Sequence, residues 1–204
     1  MNYKSEDKYS EKRQEIMEYA LDCFSKQGFT ATTIKTIAAA AGMKSTALIY
    51  YYFKDKDELF QACMMDAEIP PIKQISLQAE PEEFLYQIQI SFLEMINTPK
   101  IRKLLICSSS VIEARPDLMD SVNEKYRQPY KKLFIEFIEF YKKNGIFRNI
   151  DSWQLYLDVF TPLFMRCIIV RDWGEWDKPE KRRKYEIVIK ERTKNLLFGI
   201  LGNE

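Results

Sequence analysis

Residues 32–53 read "TTIKTIAAAAGMKSTALIYYYF", and the fold turns on how this stretch is divided. Thr32 or Thr33 offers an N-cap hydroxyl, Ile34, Ile37, Ala38 and Ala41 recur at helical spacing, and Gly42 stops the run. A short turn follows, and Ser45 or Thr46 caps a second short helix that ends near Phe53. Two short helices joined at a glycine form a helix-turn-helix unit, here about residues 33–52, whose second helix fits the major groove of DNA. The competing reading is an ordinary helical corner, which has the same spacing.

The aromatic run weighs against the corner. At 100° per residue Ile49 and Phe53 share one face and can turn inward, leaving Ala47 and Tyr51 opposite and Tyr50 and Tyr52 on the flanks. Rings held outward near Lys44, Lys54 and Lys56 need a partner. A tyrosine hydroxyl can donate to a phosphate oxygen while its ring lies on a sugar or a thymine methyl, and lysine adds a salt-dependent attraction. Thr33 places a hydroxyl and a backbone N–H where a phosphate would be met along the helix dipole.

Helices are predicted on both sides. Upstream, Ile16, Tyr19, Ala20, Cys23 and Phe24 mark an amphipathic helix from Glu11 to Gln27, and Gly28 ends it. Downstream, Asp55-Lys56-Asp57-Glu58 reads as a capping box that opens a helix through Ala67. Pro70-Pro71 then breaks the pattern. Further helices are predicted over Pro81–Ile96, Lys100–Ala114, Pro116–Lys143 with a kink or split at Pro129, Asp151 to about Val170, and Pro179–Leu201. No alternating strand pattern occurs, so the chain is expected to be all-α.

The chain has 204 residues, 46% of them hydrophobic and 14% aromatic, enough for a sizeable core. It has no histidine and six scattered glycines, so the commonest general base and any phosphate-cradling glycine loop are missing. We therefore expect no enzyme, no metal and no cofactor. Cys23, Cys63, Cys107 and Cys167 form no CxxC pair and read as buried free thiols. With a charged, polar start and no long apolar run, the chain is expected in the cytoplasm, off the membrane. Net charge is +1, but the first 56 residues hold nine Lys or Arg against seven Asp or Glu, and the remainder 22 against 23. The head is the modestly basic part.

The segment "FSKQGFTATTIKTIAAAAGMKSTALIYYYFKDKDELF", residues 24–60, closely resembles the DNA-binding segment of the tetracycline-repressor (TetR) family of bacterial transcriptional regulators. Phe24 with Gly28-Phe29, Thr32-Thr33, Ile37-Ala38, Ala41-Gly42, Tyr50 with Tyr52-Phe53, and Lys54 with Lys56 and Leu59 fall in family order. One departure is an insertion: Gly42 to Phe53 counts twelve residues, one more than the usual spacing. The resemblance implies that Tyr50 and Tyr51 meet DNA at the groove, that Tyr52 and Lys56 hold phosphates, and that Thr33 and Lys35 anchor the first helix of the pair. Which of Lys44, Ser45, Thr46 and Ala47 reaches base edges stays open, because the extra residue lies there.

It further implies a DNA-binding domain over residues 1–54 and a helical effector-binding and dimerisation domain over 55–204. The homodimer would form through the last two helices, with Leu155, Val159, Leu163, Ile187, Leu196 and Ile200 as candidate contacts; packing within one subunit would use the same spacing. Phe92, Met95, Cys107, Val111, Phe134, Trp153, Phe160 and Phe164 are candidates to line an apolar pocket, against the plainer reading of core. Glu113 and Arg115 read as a surface pair, Ser108-Ser109-Ser110 as close helix packing, and 181–184, "KRRK", as a solvated face. The function implied is a dimeric repressor that a small, largely apolar effector releases from double-stranded operator DNA. The alternative is a helical small-molecule-binding or interaction protein without sequence-specific DNA binding.

Overall fold

The computed structural model describes residues 3–68, 75–109, 111, 116–169, 176 and 178–201. The helices are α1 Tyr3–Gln27, α2 Ile34–Ala40, α3 Ala47–Tyr52, α4 Lys56–Met65, α5 Pro81–Ile96, α6 Pro99–Ser109, α7 Pro116–Val122, α8 Gln128–Lys143, α9 Ser152–Ile169 and α10 Pro179–Ile200. The fold is all-α: among the described residues β pairing is confined to one isolated bridge, Phe147 with Leu201. The expectations placed on Pro70-Pro71, Ser110, Glu113, Arg115 and Val170 lie outside the described residues, as does the Cys167 side chain.

The helices gather into two compact units. One comprises residues 1–68 and 99–123, the other 69–98 and 124–204.

In the first unit α1 packs against α2, α4 and α6. Its buried face carries Ile16, Ala20 and Phe24, all fully enclosed. Phe24 and Phe29 both meet Phe60 of α4, at ring separations of 5.1 and 4.7 Å. Asp55 caps α4 as expected, accepting from the Glu58 N–H at 2.8 Å, and the Glu58 carboxylate accepts from the Lys54 N–H at 2.7 Å. α6 is tied down by ion pairs of Lys103 with Asp22 and Lys100 with Asp66. α1 starts at Tyr3 rather than Glu11, because its first two turns are polar and give the apolar periodicity nothing to register.

In the second unit α5 packs against α8, α9 and α10. Pro129 does divide the predicted 116–143 helix: a π-helical turn, Asn123–Arg127, intervenes and α8 begins just before the proline. α9 contains Pro162, which has no N–H for the Asp158 carbonyl one turn back. Arg192 of α10 supplies the missing donor, its guanidinium reaching the carbonyls of Asp158 and Val159 at 2.6 and 2.9 Å.

Candidate nucleic-acid interface

The helix-turn-helix is built from backbone chemistry outward. Thr33 has extended dihedrals (φ −116°, ψ 156°) and its Oγ1 accepts from the Thr36 N–H at 3.0 Å, so Thr33 is the cap that starts α2. At the other end Gly42 takes φ +65°. The Gly42 N–H donates to the Ala39 carbonyl at 3.1 Å and the Met43 N–H to the Ala38 carbonyl at 2.8 Å, a Schellman closure. A Cβ at Gly42 would meet nothing within 4 Å, so the dihedral, not crowding, asks for glycine.

The turn then runs to Thr46, and α3 begins at Ala47. Ser45 Oγ accepts from the Ala47 N–H at 3.0 Å, whereas Thr46 makes no side-chain cap. Lys44, Ser45 and Ala47 are exposed and Thr46 is half-buried. The stretch that holds the extra residue thus spans this turn and the first residue of α3, and Lys35 is exposed as well.

α3 divides sharply. Ile49 and Phe53 are 0% and 1% exposed, while Tyr50 and Tyr51 stand 54% and 69% exposed. Tyr52, at the helix end, is half-buried. It packs on Tyr9 of α1, with ring centroids 4.6 Å apart. The sequence reading missed Tyr9, because nothing local to α1 signals a ring contact with α3.

Lys56 sits differently from a free phosphate ligand. Its ammonium donates to the carbonyls of Phe29 at 2.9 Å and Thr32 at 3.0 Å and lies 4.3 Å above the Phe29 ring. It therefore staples the α1–α2 loop to the start of α4, with one donor left over among the described residues. Lys56→Ala is accordingly expected to lower stability by about 1–2 kcal/mol, since two carbonyls lose a charged donor; a shift in the urea midpoint would measure it.

The thiols of Cys23, Cys63 and Cys107 are buried. Burial is the largest cause in each case: it pushes Cys63 up, and Cys107 up to about 12. With both thiols raised and buried, iodoacetamide is expected to label neither at pH 8 before the protein unfolds; peptide mass spectrometry would follow each site.

The eight candidate pocket residues are divided between the units: Cys107 and Val111 belong to the first and the other six to the second. Phe92, Phe134 and Phe160 form one aromatic cluster with Tyr130 and Tyr156, at 5.0 Å for Phe92–Phe160 and 5.5 Å for Phe134–Phe160. Met95 is buried, Phe164 half-buried, and Trp153 is 39% exposed, stacked on Tyr156. Around them lie polar groups the sequence did not single out. Tyr130 donates to the Ser91 carbonyl at 3.1 Å and Gln89 to Thr193 Oγ1 at 3.0 Å. Gln89 Oε1 and Ser91 Oγ are buried with no hydrogen-bond partner among the described residues. Burial raises the Tyr130 hydroxyl and pushes Tyr156 up to about 12.

Of the dimer candidates, Leu155, Val159, Leu163 and Ile200 are buried inside their own subunit, leaving Ile187 outward and Leu196 half-buried. Their apolar spacing served intrachain packing. No described helix is long and apolar enough to cross a membrane.

Residues 16–63 match the family described as "Bacterial regulatory proteins, tetR family". The chain is similar to the HTH-type transcriptional regulator AcrR of Shigella flexneri, 35% identical over 111 residues, 52% of this chain and 51% of AcrR. It is also similar to the transcriptional repressor AcnR of Corynebacterium glutamicum, 39% identical over 62 residues, 30% of this chain and 32% of AcnR. The chain thus spans about half the length of the first of these curated relatives and about a third of the second. Among solved structures, the ketosteroid transcriptional regulator KstR2 of Mycobacterium tuberculosis superposes with a TM-score of 0.66 at 19% identity, over 94% of this chain and 96% of that one.

Proposed function

Because the chain belongs to the TetR family of bacterial regulatory proteins, we propose that it is a DNA-binding transcriptional repressor. It acts as a homodimer in the cytoplasm, and a small, largely apolar effector releases it from its operator. Residues 1–54 form the DNA-reading head and residues 55–204 the helical part that binds effector and dimerises.

The observation that carries this reading is α3, six residues long, with Ile49 and Phe53 enclosed and Tyr50 and Tyr51 turned to water. Exposed rings on successive residues of a short helix fit groove and phosphate contact better than solvent. The exposed Lys44 and Lys35 add positive charge to the head, and Tyr52 and the third donor of Lys56 are assigned to the phosphate backbone.

One head has too few contacts for tight specific binding, so two are needed, one helical turn of DNA apart. The last two helices support pairing: Met165, Ile187, Val188 and Phe198 are exposed, Phe198 at 90%. Ile187 and Phe198, about three turns apart, fall on one stripe of α10. For the effector, the aromatic interior of the second unit offers an apolar lining, and Gln89 Oε1 and Ser91 Oγ offer acceptors that have no partner among the described residues. Release requires that the effector bind one spacing of the two heads better than the other.

Gel-shift with the DNA flanking its own gene tests the reading, together with light scattering. A retarded band and a dimeric mass support it. A folded monomer that selects no duplex from a random-sequence pool would establish the alternative, a helical small-molecule-binding or interaction protein.

A further inference from the structure

We propose that Tyr9, near the start of α1, is a positioning residue for the DNA-reading face, bracing Tyr51 and Tyr52 so that α3 presents its rings in one arrangement. The inference rests on the reading of α3 given above.

Three tyrosines form a surface cluster. The Tyr9 ring lies 4.6 Å from Tyr52 at an interplanar angle of 41° and 6.0 Å from Tyr51 at 70°; Tyr51 and Tyr52 meet edge to face at 5.0 Å. Tyr9 is itself 41% exposed, so the cluster is no part of the core. One turn further along the same face of α1, the Arg13 guanidinium lies 4.7 Å above the Phe53 ring. α1 therefore grips the C-terminal end of α3 at two points.

α3 needs such a grip. A helix of six residues cannot hold itself together, and Ile49 and Phe53 fix only its inner face. On the outer side Tyr9 brings a ring from another helix against both Tyr51 and Tyr52. Edge-to-face and tilted ring pairs have preferred geometries, so they restrict the two χ angles of each tyrosine before DNA arrives. Rings ordered in advance lose less freedom on binding. Neither the Tyr51 nor the Tyr52 hydroxyl is hydrogen-bonded within the described residues, which leaves both available to phosphate while the rings are held.

The probe is the duplex that the wild-type protein selects from a random-sequence pool. Tyr9→Ala is expected to weaken its binding about tenfold, an effect counted in both heads. Tyr9→Phe is expected to restore affinity, because the ring and not the hydroxyl does the bracing. Tyr9→Leu, which keeps bulk without a ring, should behave like the alanine variant and serves in its place if that variant melts early. Combined with Tyr51→Ala, Tyr9→Ala should add less than its separate loss, the mark of coupled residues. Additive losses, or a Phe variant as weak as the Ala one, overturn bracing; the latter would make the Tyr9 hydroxyl a direct DNA contact. Should Tyr51→Ala weaken binding while Tyr9→Ala does not, this inference fails and the function stands. A Tyr51→Ala variant with wild-type affinity would instead remove the reading of α3 itself.

Discussion

Tyr51→Ala is expected to weaken operator binding by about 2–3 kcal/mol, which is roughly 30- to 150-fold, while leaving the melting temperature almost unchanged. The size follows from symmetry. Each head loses one hydroxyl-to-phosphate hydrogen bond and the apolar contact of one ring, and a dimer loses both twice. The small change in stability follows from exposure: at 69% accessible, Tyr51 contributes only its edge contacts to Tyr9 and Tyr52, and surface substitutions of that kind shift stability by about 0.5 kcal/mol or less. The salt dependence of binding should keep its slope, because a neutral side chain releases no counterion; Lys44→Ala should lower the slope instead. Fluorescence anisotropy across a salt series, with thermal melts of each variant, separates these outcomes. A Tyr51→Ala protein that unfolds yet retains residual binding would mean that the aromatic run is core.

Much of the head was legible because its signals are local. Thr33, Gly42 and Asp55 each act on backbone groups within a few residues, and the structure shows each of them doing so. The inward pair Ile49 and Phe53 followed from helical geometry alone. Contacts between distant segments were illegible for the same reason. Nothing around Tyr9 announces that its ring rests on Tyr52, and nothing around Lys56 announces that its ammonium holds the carbonyls of Phe29 and Thr32. Family likeness gave Lys56 to phosphate, whereas two of its three donors are spent within the head.

In the body, helix ends were readable from prolines and Asp151, but helix faces were not. Leu155, Val159 and Leu163 have the same period whether they meet their own subunit or another, and the structure spends them inside. Pro162 likewise carries no sign of what repairs its helix. The answer lies thirty residues on in Arg192, and only folding brings it there.

Phe134→Ala is expected to cost about 3–5 kcal/mol of stability, the range for a large ring deleted from a packed interior. Phe134 is 0% exposed and meets Tyr156 at 6.0 Å and Phe160 at 5.5 Å, so its removal strips contacts from several neighbours at once. Its ring is also a candidate wall of the effector site, and the size of the loss decides between the roles. A ring facing an open pocket has protein on one side only, so truncating it removes fewer contacts and should cost about 1–2 kcal/mol. Urea unfolding measures the difference as a fall in midpoint at unchanged slope. Operator affinity, read at a temperature where the variant stays folded, should lie near that of the wild type, because Tyr50, Tyr51 and Tyr52 belong to the other compact unit. A full loss assigns Phe134 to the core and leaves the polar atoms of Gln89 and Ser91 as the better markers of where an effector binds. A small loss, joined to an altered release from DNA, makes the ring part of the pocket.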